Sequence, residues 1–241
     1  LLSERETLTY RGLAARANRY ARWALGQGIA KGDVVCLLMP SRPDYLALWL
    51  GVTRVGGVVA LLNEHLRGVS LAHCIDVVRP THVVVAAELA DAFERARSHL
   101  SSVPVVWLHG DGERPWPRID RAVDLLPADR LGECERRPLT VEDPALLIYT
   151  SGTTGLPKAA KVDHHRLLTW SLWFAGMMGT GSDDRMYNCL PMYHSVGGVV
   201  AIGAVLVNGR LAPEPPAFLP PFEYFKRLVE EELARQSKQG R

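Results

Sequence analysis

The chain has 241 residues, and its 28 Lys and Arg against 26 Asp and Glu leave a formal net charge of +2. Apolar residues make up 47% and charged residues 22%, which excludes disorder, collagen and coiled coil as descriptions of the whole chain. At about 100 to 200 residues per domain, the length allows one large domain or two small ones. Because no block of Lys and Arg stands out, we do not expect nucleic acid as a partner.

The cysteine pattern indicates a reducing compartment, and we expect a cytoplasmic protein. The four cysteines contain no C-x-x-C pair, so neither a zinc cluster nor a disulfide framework is predicted, and we assign no metal ligands. The longest uncharged stretches, 167–182 and 194–209, have sixteen residues each, fewer than the ~20 of a transmembrane helix. Peripheral contact with the cytoplasmic side of a membrane stays open. The chain begins with Leu1 and shows no signal peptide, which leaves open that residues precede it.

Short apolar runs alternate with helical patterns over the first hundred residues. Unbroken apolar runs are typical of strands covered on both faces, as in a parallel sheet. We predict such strands at 34–39, 58–62, 82–86 and 103–108. Apolar residues at helical spacing predict helices at 13–25, from a cap at Ser41 to Gly56, at 70–79 and at 88–99. The order predicts an α/β fold, wound, with mainly parallel sheets flanked by helices.

The second half of the chain resumes this pattern after an interruption. Residues 109–144 carry several prolines among many charges and are predicted as a surface excursion. Further strands are predicted at 145–150, 159–162 and 186–190, and further helices at 164–178 and 195–207. From residue 211 the chain is proline-rich and ends in an amphipathic pattern. We therefore divide it into an α/β region at 1–210 and a linker with a terminal helix at 211–241.

One segment, Tyr149-Thr-Ser-Gly-Thr-Thr-Gly-Leu-Pro-Lys158, differs from an ordinary connection. It follows a buried strand and brings backbone N–H groups, hydroxyl side chains and one cation into a small volume, a combination that binds phosphate. Gly152 and Gly155 let the backbone approach an anion. The spacing is neither that of a Walker A loop nor G-x-G-x-x-G, so those nucleotide-binding motifs are excluded.

This segment resembles the phosphate-loop signature of the AMP-forming acyl-activating enzymes, which include acyl-CoA synthetases, luciferases and peptide-synthetase adenylation domains. The resemblance implies that the loop grips the β- and γ-phosphates of ATP and then the leaving pyrophosphate. It assigns this role to seven residues of the chain: Thr150, Ser151, Gly152, Thr153, Thr154, Gly155 and Lys158. Lys158 is also assigned to catalysis.

A second motif, Leu190-Pro-Met-Tyr-His194, is similar to the family's next conserved segment. The resemblance implies that Tyr193 and His194 border the acyl carboxylate and that His194 takes part in catalysis. Taken alone, His194 at a helix start is a cap or a surface histidine. Ala159 and Ala160, with the segment from Asn188 to His194, look most like the fatty acid transport protein branch, whose members are long- and very-long-chain acyl-CoA synthetases.

Two other groups of polar residues favour structural interpretations. His164 stands where the family often has a histidine at a helix start, and we interpret it as a cap. His73, Cys74 and Asp76 share one predicted helical turn, and packing is favoured there because a metal site needs more converging ligands.

The resemblance implies an enzyme that uses ATP, Mg²⁺ and coenzyme A to activate a long-chain fatty acid as acyl-adenylate and then acyl-CoA. It also implies that the family's later elements, including its C-terminal domain, are absent, so we expect no useful turnover from this chain alone. Two alternatives stay open: a non-catalytic remnant that binds a nucleotide or lipid, and an enzyme for an aryl or amino acid. An unpaired sheet edge predicts self-association.

Overall fold

The computed structural model describes residues 6–150, 155–182 and 184–208. These residues fall into two units, the first formed by 6–164 with 191–194 and the second by 165–190 with 195–208. The predicted linker and terminal helix at 211–241, and the division at residue 210, lie outside the described residues.

The first unit alternates helices and strands along the chain. Its strands are β1 (Val34–Leu38), β2 (Val58–Leu61), β3 (His82–Ala86), β4 (Val105–His109), β5 (Pro144–Thr150) and β6 (Lys158–Asp163). Its helices are α1 (Tyr10–Gly26), α2 (Pro43–Arg54), α3 (Gly68–Asp76), α4 (Ala90–Arg97) and α5 (Ile119–Asp124). Short 3-10 turns lie at Ala87–Leu89 and Glu133–Glu135.

The six strands form one sheet in the order β4-β3-β1-β2-β5-β6. Neighbouring strands from β4 to β5 are parallel, and β6 runs antiparallel to β5. The residues of β2 and β3 are buried throughout, as expected for strands that helices cover on both faces. The predicted wound, mainly parallel α/β fold is confirmed. Because β1 to β5 are parallel, their carboxyl ends all lie at the same edge of the sheet.

Helices α1 and α2 pack together at close range. A Cβ atom on Gly51 of α2 would lie 2.5 Å from the Ala17 carbonyl oxygen and 2.6 Å from the Tyr20 Cβ, so only glycine fits there. Asp44, in the first turn of α2, accepts hydrogen bonds from Tyr20 Oη at 3.0 Å and from Arg16 at 2.9 Å. Burial alone would raise the pKa of Asp44, but its bond to His109 and the charge of Arg16 lower it on balance.

Two predictions for the first unit need correction. Ser41 does not cap α2, because the N-cap residue is Arg42 and the Ser41 hydroxyl instead accepts a hydrogen bond from the Met192 backbone N–H at 3.0 Å. The segment 109–144 is not wholly a surface excursion, since it contains α5, whose Ile119 and Val123 are buried. A helix of six residues contains too few apolar positions to give a recognisable helical pattern among prolines and charges.

The second unit is helical in its described part. It contains residues 165–178 of α6 (His164–Met178), a π-helix at Ser195–Ala201 and α7 (Ile202–Leu206). Ser171 and Gly203 lie in close contact, because a Cβ on Gly203 would come within 1.9 Å of the Ser171 hydroxyl. In the described part of the chain, the helices are too short or too polar to cross a membrane.

The predicted strand at 186–190 is wrong, because this segment is irregular and Tyr187 is almost fully exposed. The side chain of Asn188 competes with strand pairing: its oxygen accepts from the Leu190 N–H at 3.1 Å and its Nδ2 donates to the Gly197 carbonyl at 2.9 Å.

Candidate phosphate loop and acyl site

The signature loop connects β5 to β6 as a hairpin. Thr150 and Lys158 face each other as the last pair of the antiparallel ladder, and Tyr149 pairs with Ala159 directly behind them. Thr150 Oγ1 lies 3.5 Å from the Lys158 carbonyl oxygen. Four predicted phosphate ligands, Ser151, Gly152, Thr153 and Thr154, lie outside the described residues. The two ends of the loop are therefore fixed by strand pairing, which holds its flanking residues at a set spacing.

The described end of the loop leaves room on its exposed side. Among the described residues, no atom lies within 4 Å of the position that a Cβ atom on Gly155 would take. Lys158 is exposed, and no carboxylate of the described residues lies within ion-pair distance of its ammonium group. Open space beside a glycine and an unpaired cation are what an anionic ligand requires.

Helix α3 contacts both ends of this loop. Tyr149 Oη donates a hydrogen bond to the Cys74 carbonyl at 2.5 Å, and His73 Nε2 lies 3.1 Å from the Pro157 carbonyl. Because a carbonyl only accepts, His73 is the donor in the second bond. Burial raises the pKa of the Tyr149 phenol, with the thiols of Cys36 and Cys74 as further causes, so this hydroxyl keeps its proton. Sequence reasoning assigned His73 to packing and missed this contact.

The second motif lies at the same edge of the sheet. The Met192 N–H donates to the hydroxyl of Ser41, which follows β1. Tyr193 is 8% exposed, and burial together with the charge of Glu64, which follows β2, raises its pKa. The exposed ring of His194 stands beside the Tyr193 ring, with 4.5 Å between the ring centroids. The fold thus places this motif at the edge where β1 and β2 end, and the loop after β5 belongs to that same edge.

His164 and the possible metal ligands are the remaining candidates. His164 begins α6, its backbone N–H donates to the Asp143 carbonyl at 3.1 Å, and burial lowers its pKa. Within 6–150, 155–182 and 184–208, no three His, Cys, Asp or Glu side chains converge as a metal site.

Comparison with known proteins identifies the family. The family model described as AMP-binding enzyme matches residues 1–234. The chain belongs to the AMP-binding enzyme family. This membership agrees with the resemblance drawn from the loop and with the wound sheet.

Two relatives match most of the chain. It is 35% identical over 220 residues to long-chain fatty acid transport protein 6 of Mus musculus, covering 87% of this chain and 34% of that protein. It is 31% identical over 205 residues to the medium/long-chain-fatty-acid–CoA ligase FadD6 of Mycobacterium tuberculosis, covering 85% of this chain and 33% of that protein. The chain therefore spans about a third of the length of these relatives.

A solved structure shows the same fold. The crystal structure of ATP-bound MatB from Rhodopseudomonas palustris matches with a TM-score of 0.69 at 27% identity, covering 84% of this chain and 39% of that protein. The match supports the fold of the described residues.

Proposed function

We propose that this chain carries the ATP phosphate loop and part of the acyl site of an AMP-forming ligase that joins a long-chain fatty acid to coenzyme A. The observation that carries the proposal is the β5–β6 hairpin, which presents Thr150 and Lys158 side by side at the carboxyl edge of the sheet. The family match and the names of two relatives, a fatty acid transport protein and a fatty acid CoA ligase, support the reaction and the acid.

The proposed first step needs positive charge and hydrogen-bond donors near pyrophosphate. An oxygen of the fatty acid carboxylate attacks the α-phosphorus of ATP and forms a new O–P bond. The bond from that phosphorus to the bridging oxygen breaks, and pyrophosphate leaves with its electron pair. Donors aimed at the departing oxygens lower the barrier because negative charge builds up there. Lys158 supplies the cation, and the hydroxyls and amides of residues 150–155 supply donors.

The acyl group is expected at Tyr193 and His194. Because burial and Glu64 raise the pKa of Tyr193, its phenol stays neutral and can donate a hydrogen bond to a carboxylate. The exposed His194 ring stands next to it and can approach the same group. In the proposed second step, the thiol of coenzyme A attacks the carbonyl carbon of the acyl-adenylate, and AMP leaves.

The phosphate-binding part is tested on the 241-residue chain itself. Isothermal titration with ATP, with tripolyphosphate and with adenosine separates recognition of the phosphates from recognition of the nucleoside. We expect ATP and tripolyphosphate to bind and adenosine to bind far more weakly, because the proposed contacts of the loop are all to phosphate oxygens. Tight binding of adenosine with no binding of tripolyphosphate would remove the loop from the proposal.

The choice of acid is tested by joining this chain to the part of a relative that it does not cover. A fusion joins this chain to the remaining two thirds of the Mycobacterium tuberculosis ligase, and pyrophosphate release is measured with ATP, coenzyme A and either palmitate or benzoate. We expect release with palmitate. Release with benzoate alone would favour an aryl acid, and binding of ATP without release in the fusion would favour a non-catalytic remnant.

A further inference from the structure

The strongest unassigned feature is the contact between α3 and the two ends of the signature loop. Two adjacent residues of the helix reach the loop from one side: the Cys74 carbonyl accepts from Tyr149 at the end of β5, and His73 donates to Pro157 just before β6. His73 and Pro157 are 84 positions apart in sequence, so the contact is a tertiary one. Together the two bonds span the loop.

The end of α3 is built to accept such a bond. Val77 N–H donates to the His73 carbonyl and Val78 N–H donates to the Ile75 carbonyl, so the Cys74 carbonyl between them has no helical donor. A helix leaves its last carbonyls without intrahelical partners, and a buried one must find another donor. Tyr149 fills this role with a phenol that stays protonated because burial raises its pKa.

The helix itself is a firm support for the loop. Leu71, Cys74 and Ile75 are fully buried in the cluster that includes the sheet residues Cys36 and Leu147. His73 lies on the half-buried side of α3 and is free to face the loop. A side chain mounted on a packed helix holds its partner more closely than one mounted on a second loop.

We propose that His73 is a positioning residue that fixes Pro157, at the carboxyl end of the phosphate loop, through its hydrogen bond to the Pro157 carbonyl, so that this end of the loop is ordered before ATP binds. The proposal rests on the proposed function of the loop in binding ATP. A loop that is ordered before binding loses less conformational entropy when the ligand arrives, and affinity rises accordingly. His73 itself does not touch the phosphates.

The test measures the loop and the ligand separately in the 241-residue chain. Amide hydrogen exchange of a peptide covering 149–162 reports loop order without ATP, and isothermal titration reports ATP affinity. We expect His73→Ala to speed exchange in this peptide and to weaken ATP binding by about three- to tenfold, the range for one lost hydrogen bond. His73→Gln, which keeps a donor at a similar reach, should restore both to within about twofold. His99→Ala is the matched control, since His99 is an exposed histidine two residues after the end of α4.

Each outcome has a separate meaning. Unchanged exchange and affinity in His73→Ala would overturn the positioning role, as would a loss in His73→Gln as large as in His73→Ala. If wild-type chain binds no ATP, the proposed function fails, while the exchange rates still decide whether His73 orders the loop. If His73→Ala does not fold, His73→Met keeps the bulk without the donor and carries the same two measurements.

Discussion

Thr150 and Lys158 are direct partners across the antiparallel ladder between β5 and β6. This pairing sets the two ends of the signature loop a single strand spacing apart. The last parallel strand of the sheet thus delivers the loop to the edge where β1 and β2 also end.

The cation of the loop is tested by Lys158→Ala. We expect this change to weaken ATP binding by about tenfold or more, because a charge-assisted contact to phosphate is lost. Lys161→Ala is the matched control, since Lys161 is exposed on the same strand but three residues further on. Isothermal titration measures both. Equal losses in the two variants would show a general charge effect rather than a specific contact.

The hydroxyl of Tyr149 is tested by Tyr149→Phe. Because the change leaves the Cys74 carbonyl without a donor, we expect the free energy of unfolding to fall by about 1 to 2 kcal/mol. Tyr187→Phe removes the same hydroxyl from a side chain that is 90% exposed, and it should leave stability unchanged. Urea denaturation compares the two. A loss of similar size at both positions would contradict the role of the bond.

Close packing of α1 on α2 is tested by Gly51→Ala. A Cβ atom there meets the Ala17 carbonyl and Tyr20 at distances that no packed atoms tolerate, so the helices must separate. We expect a loss of about 1 to 3 kcal/mol in the free energy of unfolding. Gly26→Ala at the end of α1 meets open space and should be neutral or slightly stabilising. A neutral Gly51→Ala would mean that the interface is looser than the structure has it.

The acid sensitivity of the fold is tested by Asp44→Asn. Since the folded state lowers the pKa of Asp44, the unfolded state binds the proton more readily near this pKa. The stability that Asp44 contributes is therefore present above about pH 4, its usual value, and is lost as the pH falls through the lowered folded value. Asp44→Asn should flatten the fall in unfolding free energy below about pH 4. Asp124→Asn, on a side chain that is 75% exposed, should not.

Much of the sheet could be predicted from sequence because its strands are unbroken apolar runs. The strand at 82–86 is predicted to the residue, and those at 34–39 and 58–62 are each one residue too long. The loop is detectable because its residues are consecutive and chemically unusual. The roles of Thr150, Gly155, Lys158, Tyr193 and His194 stay predictions, although the fold places the two motifs at one edge of the sheet.

The contact between His73 and Pro157 could not be predicted in the same way. It depends on β2 lying next to β5, and nothing in the local pattern of either segment indicates that strand order. The strand predicted at 186–190 failed for a different reason. Its apolar residues match a strand pattern, but the Asn188 side chain bonds to the neighbouring backbone and competes with pairing.

The most direct test of the account is a crystal structure of this chain with ATP. We expect the β- and γ-phosphates to lie within hydrogen-bond distance of donors between Thr150 and Lys158, with the Lys158 ammonium group on a phosphate oxygen. A structure in which ATP binds elsewhere, with the loop amides directed away from its phosphates, would contradict the account.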